Sequence, residues 1–138
     1  MSSPPQLTRL RGASPRREAG NATVEFLLVA VLVVAVALGV IQLAITLHVR
    51  NILASSAHEG AHYGALADRS PEEGEDRTRN LVVSALGGVA TQVSATRVEI
   101  DGAPAVEMRV TAQVPLIGLW GVGEQEVVAH ALAEVPRG

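Results

Sequence analysis

The chain has 138 residues, of which 48% are hydrophobic and 2% aromatic, with no cysteine and a formal net charge of −3. That length suits one small domain, and the missing thiols exclude a disulfide scaffold, a cysteine-based zinc site and a thiol nucleophile. All 11 basic residues are arginine, and Arg9, Arg11, Arg16 and Arg17 against Glu18 give residues 1–20 a net +3 while the remainder carries −6; a folded part this acidic excludes nucleic acid as a partner and turns attention to membrane lipid.

The membrane reading rests on residues 26–47, which run FLLVAVLVVAVALGVIQLAITL without a charge. At about 1.5 Å per residue such a helix crosses roughly 30 Å of hydrocarbon. The run has no polar stripe, which a surface helix of a soluble domain would show. Four arginines precede it and only Arg50 follows closely, so the positive-inside rule leaves residues 1–20 in the cytoplasm and sends the C-terminal part outside. A cleaved secretory signal ending near Ser55, Ser56 and Ala57 is the alternative, but 22 apolar residues exceed the usual signal core.

Just before this run stands Glu25. A carboxylate against a transmembrane segment needs compensation. The positive end of the helix supplies about 0.3–1 kcal/mol of it, and the headgroup layer is another refuge.

The junction residues carry a resemblance. A basic leader, then Gly20, then Glu25 five positions on, then Phe26 and a long apolar helix resembles a type IV prepilin-type signal. The resemblance implies that a prepilin peptidase cuts between Gly20 and Asn21, making Glu25 the fifth residue of the mature chain. It also implies that Glu25 meets a neighbouring subunit's new amine in an assembled bundle, a pairing that matters far more in low dielectric than in water. The strings Ala22-Thr23-Val24-Glu25-Phe26, Ile41-Gln42 and Ala57-His58-Glu59-Gly60-Ala61-His62-Tyr63 are similar to the TadE-like family, minor pseudopilins of the tight-adherence (Flp-type) pilus and secretion systems. The similarity covers residues 20–67, with His58 and His62 standing where the family usually has arginine.

The same stretch spells a formal H-E-x-x-H, from His58 through Glu59 to His62. On a helix, two histidines four residues apart face one way and suit zinc, with the glutamate as general base. Gly60 follows the glutamate where a zincin helix has a bulky apolar residue, and only His130 or an acid such as Glu124 offers a third ligand. No metal, cofactor or catalytic set is therefore expected.

Ala54, Ala57, Gly60, Ala61, Gly64 and Ala65 recur at three- and four-residue spacing, a small-residue face for close approach. Packing on the protein's own sheet is favoured over an intermolecular helix contact, and the helix is expected to run to Ala67. Ser70, Pro71 and Glu73 read as N-cap, first helical residue and capping box of a second helix, which Gly87 and Gly88 end. Its Arg77 and Arg79 read as a solvated face, with Leu81, Val82, Ala85 and Leu86 as the apolar side.

Beyond Gln92 the period becomes two. Val98 and Ile100, then Val106, Met108, Val110, Ala112 and Val114, alternate with polar residues about Asp101 and Gly102. This predicts an antiparallel hairpin with these residues on one apolar face. Residues 126–135 read as a third strand, with His130 as a structural or surface residue. Between strands two and three lies an apolar, glycine-rich segment holding Leu119 and Trp120, which suits core, membrane interface or partner contact.

The expected architecture is α+β: a basic leader over 1–20, a long helix over 21–67 with its transmembrane part at 26–47, and a small extracytoplasmic head over 68–138. The head is expected to comprise a short second helix and a three-stranded antiparallel sheet on the helix stem. The resemblance implies a non-enzymatic structural component whose partners are the prepilin peptidase, other pilins or pseudopilins, and an inner-membrane assembly platform.

Overall fold

The computed structural model describes residues 1–2, 15–115 and 122–135. Its elements run α1 Pro15–Gly64, α2 Pro71–Leu86, β1 Thr91–Ile100, β2 Ala103–Pro115 and β3 Val122–Leu132. This is the expected α+β class, with the sheet antiparallel in the order β1-β2-β3. The chain divides into two compact units, Met1–Gly39 and Val40–Gly138.

The first unit contributes the N-terminal part of α1. Alanine and leucine favour this helix intrinsically, and its many valines are accommodated because the segment is apolar all round. Val24, Phe26, Leu27, Leu28, Val31, Leu32 and Leu38 are all exposed, Phe26 at 74%. Apolar surface in water is disfavoured by about 25 cal/mol per Å², so this part of α1 needs a hydrocarbon solvent or other helices. Among the described residues, α1 is the one helix long and apolar enough to cross a membrane.

In the second unit, the C-terminal part of α1 becomes a core element. Val49, Leu53, Ala57 and Ala61 are buried, with Ile45 packed against them. Their spacing of four forms one ridge along the helix. They share a core with Val82 of α2, with Met108, Val110, Ala112 and Val114 of β2, and with Ala129 of β3. The central strand supplies the most residues because both its neighbours shield it.

α2 is delimited as its residues dictate. The Ser70 hydroxyl accepts from the Glu73 N–H, and a Glu73 carboxylate oxygen accepts from the Ser70 N–H. Gly87 ends the helix at φ 65°, its N–H donating to the Val83 carbonyl. The buried face, however, begins earlier than its apolar residues indicate. Pro71, Gly74, Thr78 and Val82 face inward, while Ala85 is exposed.

Three expectations are corrected. First, Val98 and Ile100 do not share a face with Val106 and Met108. Asp101 and Gly102, at φ 52° and 81°, form a two-residue hairpin turn, which sets Val98 opposite Ala105 and Ile100 opposite Ala103. Val93 and Ala95, opposite Val110 and Met108, are the β1 residues that face the core. Second, β3 spans Val122–Leu132 rather than 126–135, because backbone pairing with Pro115 and Val114 carries the ladder across Gly123, where side-chain alternation gives no signal. Third, α1 starts at Pro15 and stops at Gly64 instead of running over 21–67. The Ala65 carbonyl accepts from the Glu134 N–H at 2.8 Å, which ties the chain beyond α1 to the end of the sheet.

Candidate functional site

Two stretches of α1 carry the residues singled out by the sequence. In the first, Gly20, Asn21, Glu25 and Phe26 are exposed along the helix. Thr23 donates its hydroxyl to the Ala19 carbonyl at 2.9 Å, a local bond that leaves no polar group of that side chain for other elements to satisfy. A Cβ at Gly20 would meet nothing within 4 Å. The fold therefore gives no steric reason for glycine at this position. Chemically, the stretch offers a peptide bond after a residue of poor helix propensity and, five residues on, a carboxylate bordering an apolar surface.

The second stretch faces two ways. Ser56, Ala57, Gly60, Ala61 and Gly64 are buried, while His58, Glu59 and His62 are exposed. The small residues split between two partners inside the same chain. Ala57 and Ala61 belong to the core with the sheet. Gly60 and Gly64 instead meet α2: a Cβ at Gly60 would overlap the Thr78 hydroxyl and stand 2.7 Å from the Gly74 carbonyl. The small-residue face packs within the chain, on the sheet as expected and also on α2. Gly74, inside a highly charged helix start, was the signal for the α2 contact.

Thr78 completes this crossing. Fully buried, it donates to the Gly74 carbonyl at 2.9 Å, with the Ser56 carbonyl 3.4 Å away. Beside it, Arg77 donates to Glu59 Oε1 from Nε at 3.1 Å and from Nη2 at 2.6 Å. The charged start of α2 is thus not merely a solvated face. Glu59, the would-be general base of the H-E-x-x-H reading, is held by this arginine. His58 and His62 border an open groove with Ser55, Glu59, Tyr63 and Leu66. Among the described residues, no group of three histidine, cysteine, aspartate or glutamate side chains is placed to hold a metal.

His130 lies elsewhere, exposed on the outer face of the sheet, with Nε2 3.0 Å from Glu107 Oε2. Arg109 bridges Glu107 at 3.1 Å and Glu126 at 2.6 Å. The hydrogen bond with His130, and then that from Arg109, holds the Glu107 carboxyl below its usual range. Leu119 and Trp120 lie outside the described residues.

Against known families, the model described as TadE-like protein matches residues 20–62. That stretch is similar to the TadE-like family. The match opens at Gly20 and closes at His62, so it takes in the Glu25 junction, the apolar run and both exposed histidines. No curated protein and no solved structure matches the chain. The TadE-like segment points to a pilus-associated protein, and its exposed apolar helix to single-pass membrane anchoring.

Proposed function

We propose that this TadE-like chain is a non-enzymatic minor pilin or pseudopilin of a tight-adherence pilus or related secretion machine. Residues 1–20 form a cytoplasmic leader, and a prepilin peptidase cuts between Gly20 and Asn21. The apolar part of α1 then holds the chain in the membrane, with the sheet-bearing unit on the extracytoplasmic side. The observation that carries this reading is the pairing of a TadE-like segment with an apolar helix surface that no part of the described chain covers. Such a surface suits either lipid or the helices of other pilins, and a chain bearing it can exchange one for the other on assembly.

Gly20 and Glu25 support the same reading. Glycine at residue 20 has no packing role in the fold, whereas an unwindable, side-chain-free position suits a peptidase that must reach the backbone. Removing the leader discards its positive charge and creates an amine at Asn21. A Glu25 carboxylate on a neighbouring subunit neutralises that amine, and an incorrect axial stagger leaves both charges unpaired in low dielectric.

The less favoured reading is a small membrane-tethered or secreted binding domain without a pilus role, the secreted form requiring a cut after Ala57. That cut would remove Val49, Leu53 and Ala57 from the core, including Leu53 at 0% exposure. Losing one buried leucine side chain costs about 2–5 kcal/mol, comparable with the stability of a small domain.

Complementation tests the proposal. In cells lacking the native chain, the wild type should restore the pilus, whereas Glu25→Gln should be cleaved normally yet fail to assemble. Piliation by Glu25→Gln at the wild-type level would contradict the amine pairing, and piliation without the chain would contradict the pilus role itself.

A further inference from the structure

We propose that His58 and His62 form an open two-imidazole chelate for a late first-row divalent cation such as Cu²⁺, Ni²⁺ or Zn²⁺. This binding site is separate from the assembly role and does not rest on it. Both histidines lie in α1, four residues apart. That spacing stacks their Cβ atoms about 5–6 Å apart on one face, within reach of a single metal ion. The helix is held on its other side by the core and by α2, so the two imidazoles are presented from a backbone that does not have to be ordered on binding.

Both rings are exposed, and among the described residues neither has a hydrogen bond or an ion pair. His130 differs, with Nε2 engaged by Glu107 at 3.0 Å. Ser55, Tyr63 and Leu66 border the same open groove, so the two imidazoles are accessible from solvent. Glu59 is turned to Arg77, which donates two hydrogen bonds to its Oε1. The cation therefore has two nitrogen donors from this chain and water in its remaining positions. Imidazole suits copper, nickel and zinc, and affinity should be highest for Cu²⁺. With Glu59 occupied as an ion-pair partner, the site binds a metal without the base that a metallohydrolase requires.

The test is titration of the untagged full chain in detergent micelles with Cu²⁺, read by calorimetry and by electron paramagnetic resonance. One ion should bind with two imidazole nitrogens in its spectrum, more tightly than Ni²⁺ or Zn²⁺. His58→Ala and His62→Ala should each reduce the signature to one nitrogen and weaken binding by about 100-fold, the loss expected when a two-point attachment becomes single. His48→Ala, His130→Ala and Glu59→Gln should leave affinity within about threefold of wild type, a spread well below that chelate effect. The substituted histidines are exposed, and unchanged helix content by circular dichroism verifies that each variant is folded. A His58→Ala/His62→Ala variant with wild-type affinity, or a wild-type spectrum with fewer than two imidazole nitrogens, would overturn the proposal.

Discussion

Gly60 of α1 and Gly74 of α2 face each other so closely that neither tolerates a side chain. A Cβ at Gly74 would meet the Gly60 carbonyl and stand 3.0 Å from Gly64 Cα, backbone atoms that have no rotamer through which to yield. The contact joins the last turns of the helix stem to the charged start of α2. It also brings the Thr78 hydroxyl within 3.4 Å of the Ser56 carbonyl of α1.

Gly60→Ala and Gly74→Ala should each destabilise the chain by about 1–3 kcal/mol through overpacking. Gly20→Ala is the internal control, because a Cβ there meets open space. It should leave stability unchanged or raise it by up to about 1 kcal/mol through helix propensity. Thermal unfolding in detergent checks all three; equal midpoints for Gly74→Ala and wild type would contradict the close crossing.

The pair formed by Arg77 and Glu59 should matter much less for stability. Both side chains are half-exposed, so solvent screening limits their attraction to about 0–1 kcal/mol. Arg77→Ala should therefore shift the unfolding midpoint far less than Gly74→Ala. The reverse order would place the ion pair, rather than the glycine contact, at the centre of the crossing.

The hairpin turn gives a backbone test. Gly102 has φ 81° and no neighbouring atoms within 4 Å of a built Cβ, so strain rather than crowding decides the outcome there. Gly102→Ala should cost roughly 1–2 kcal/mol, whereas Asp101→Asn should be nearly neutral because asparagine also tolerates this region. Denaturant unfolding distinguishes them, and equal losses in both variants would contradict the turn geometry.

Acid sensitivity follows from Glu107. His130 first, and Arg109 second, lower its folded-state pKa, so the carboxylate contributes stability above its unfolded value of about 4.3. That contribution disappears as pH falls through the lowered folded value. Glu107→Gln should therefore flatten the loss of stability on acidification from about pH 5 downwards, by a small amount because the cluster is solvated. An identical acid slope in wild type and variant would contradict the coupling.

Much of this arrangement was legible in the sequence because it depends on local patterns. The unbroken apolar run, the Ser70–Glu73 capping box and the alternation from Val106 to Val114 each specify an element through residues close in the chain. The face of Val98 was not legible in the same way. Its alternation is regular, but the Asp101-Gly102 turn sets the register, and a shift of one residue reverses every side chain. The crossing at Gly74 was hidden for another reason: hydrophobic patterning detects buried apolar side chains, and this contact is made by backbone approaching backbone. Glu59 shows the same limit at the candidate site, since its partner Arg77 lies 18 residues away. At the other stretch, Gly20 and Glu25 are distinguished by spacing along the chain rather than by contacts within it.

The central claim is processing at Gly20, and intact mass with N-terminal sequencing of the membrane-extracted chain tests it most directly. The comparison is between cells with and without the prepilin peptidase. A new terminus at Asn21, appearing only when the peptidase is present, is the expected result. A chain that keeps Arg16 and Arg17 in the presence of the peptidase, or one that begins at His58, would contradict it.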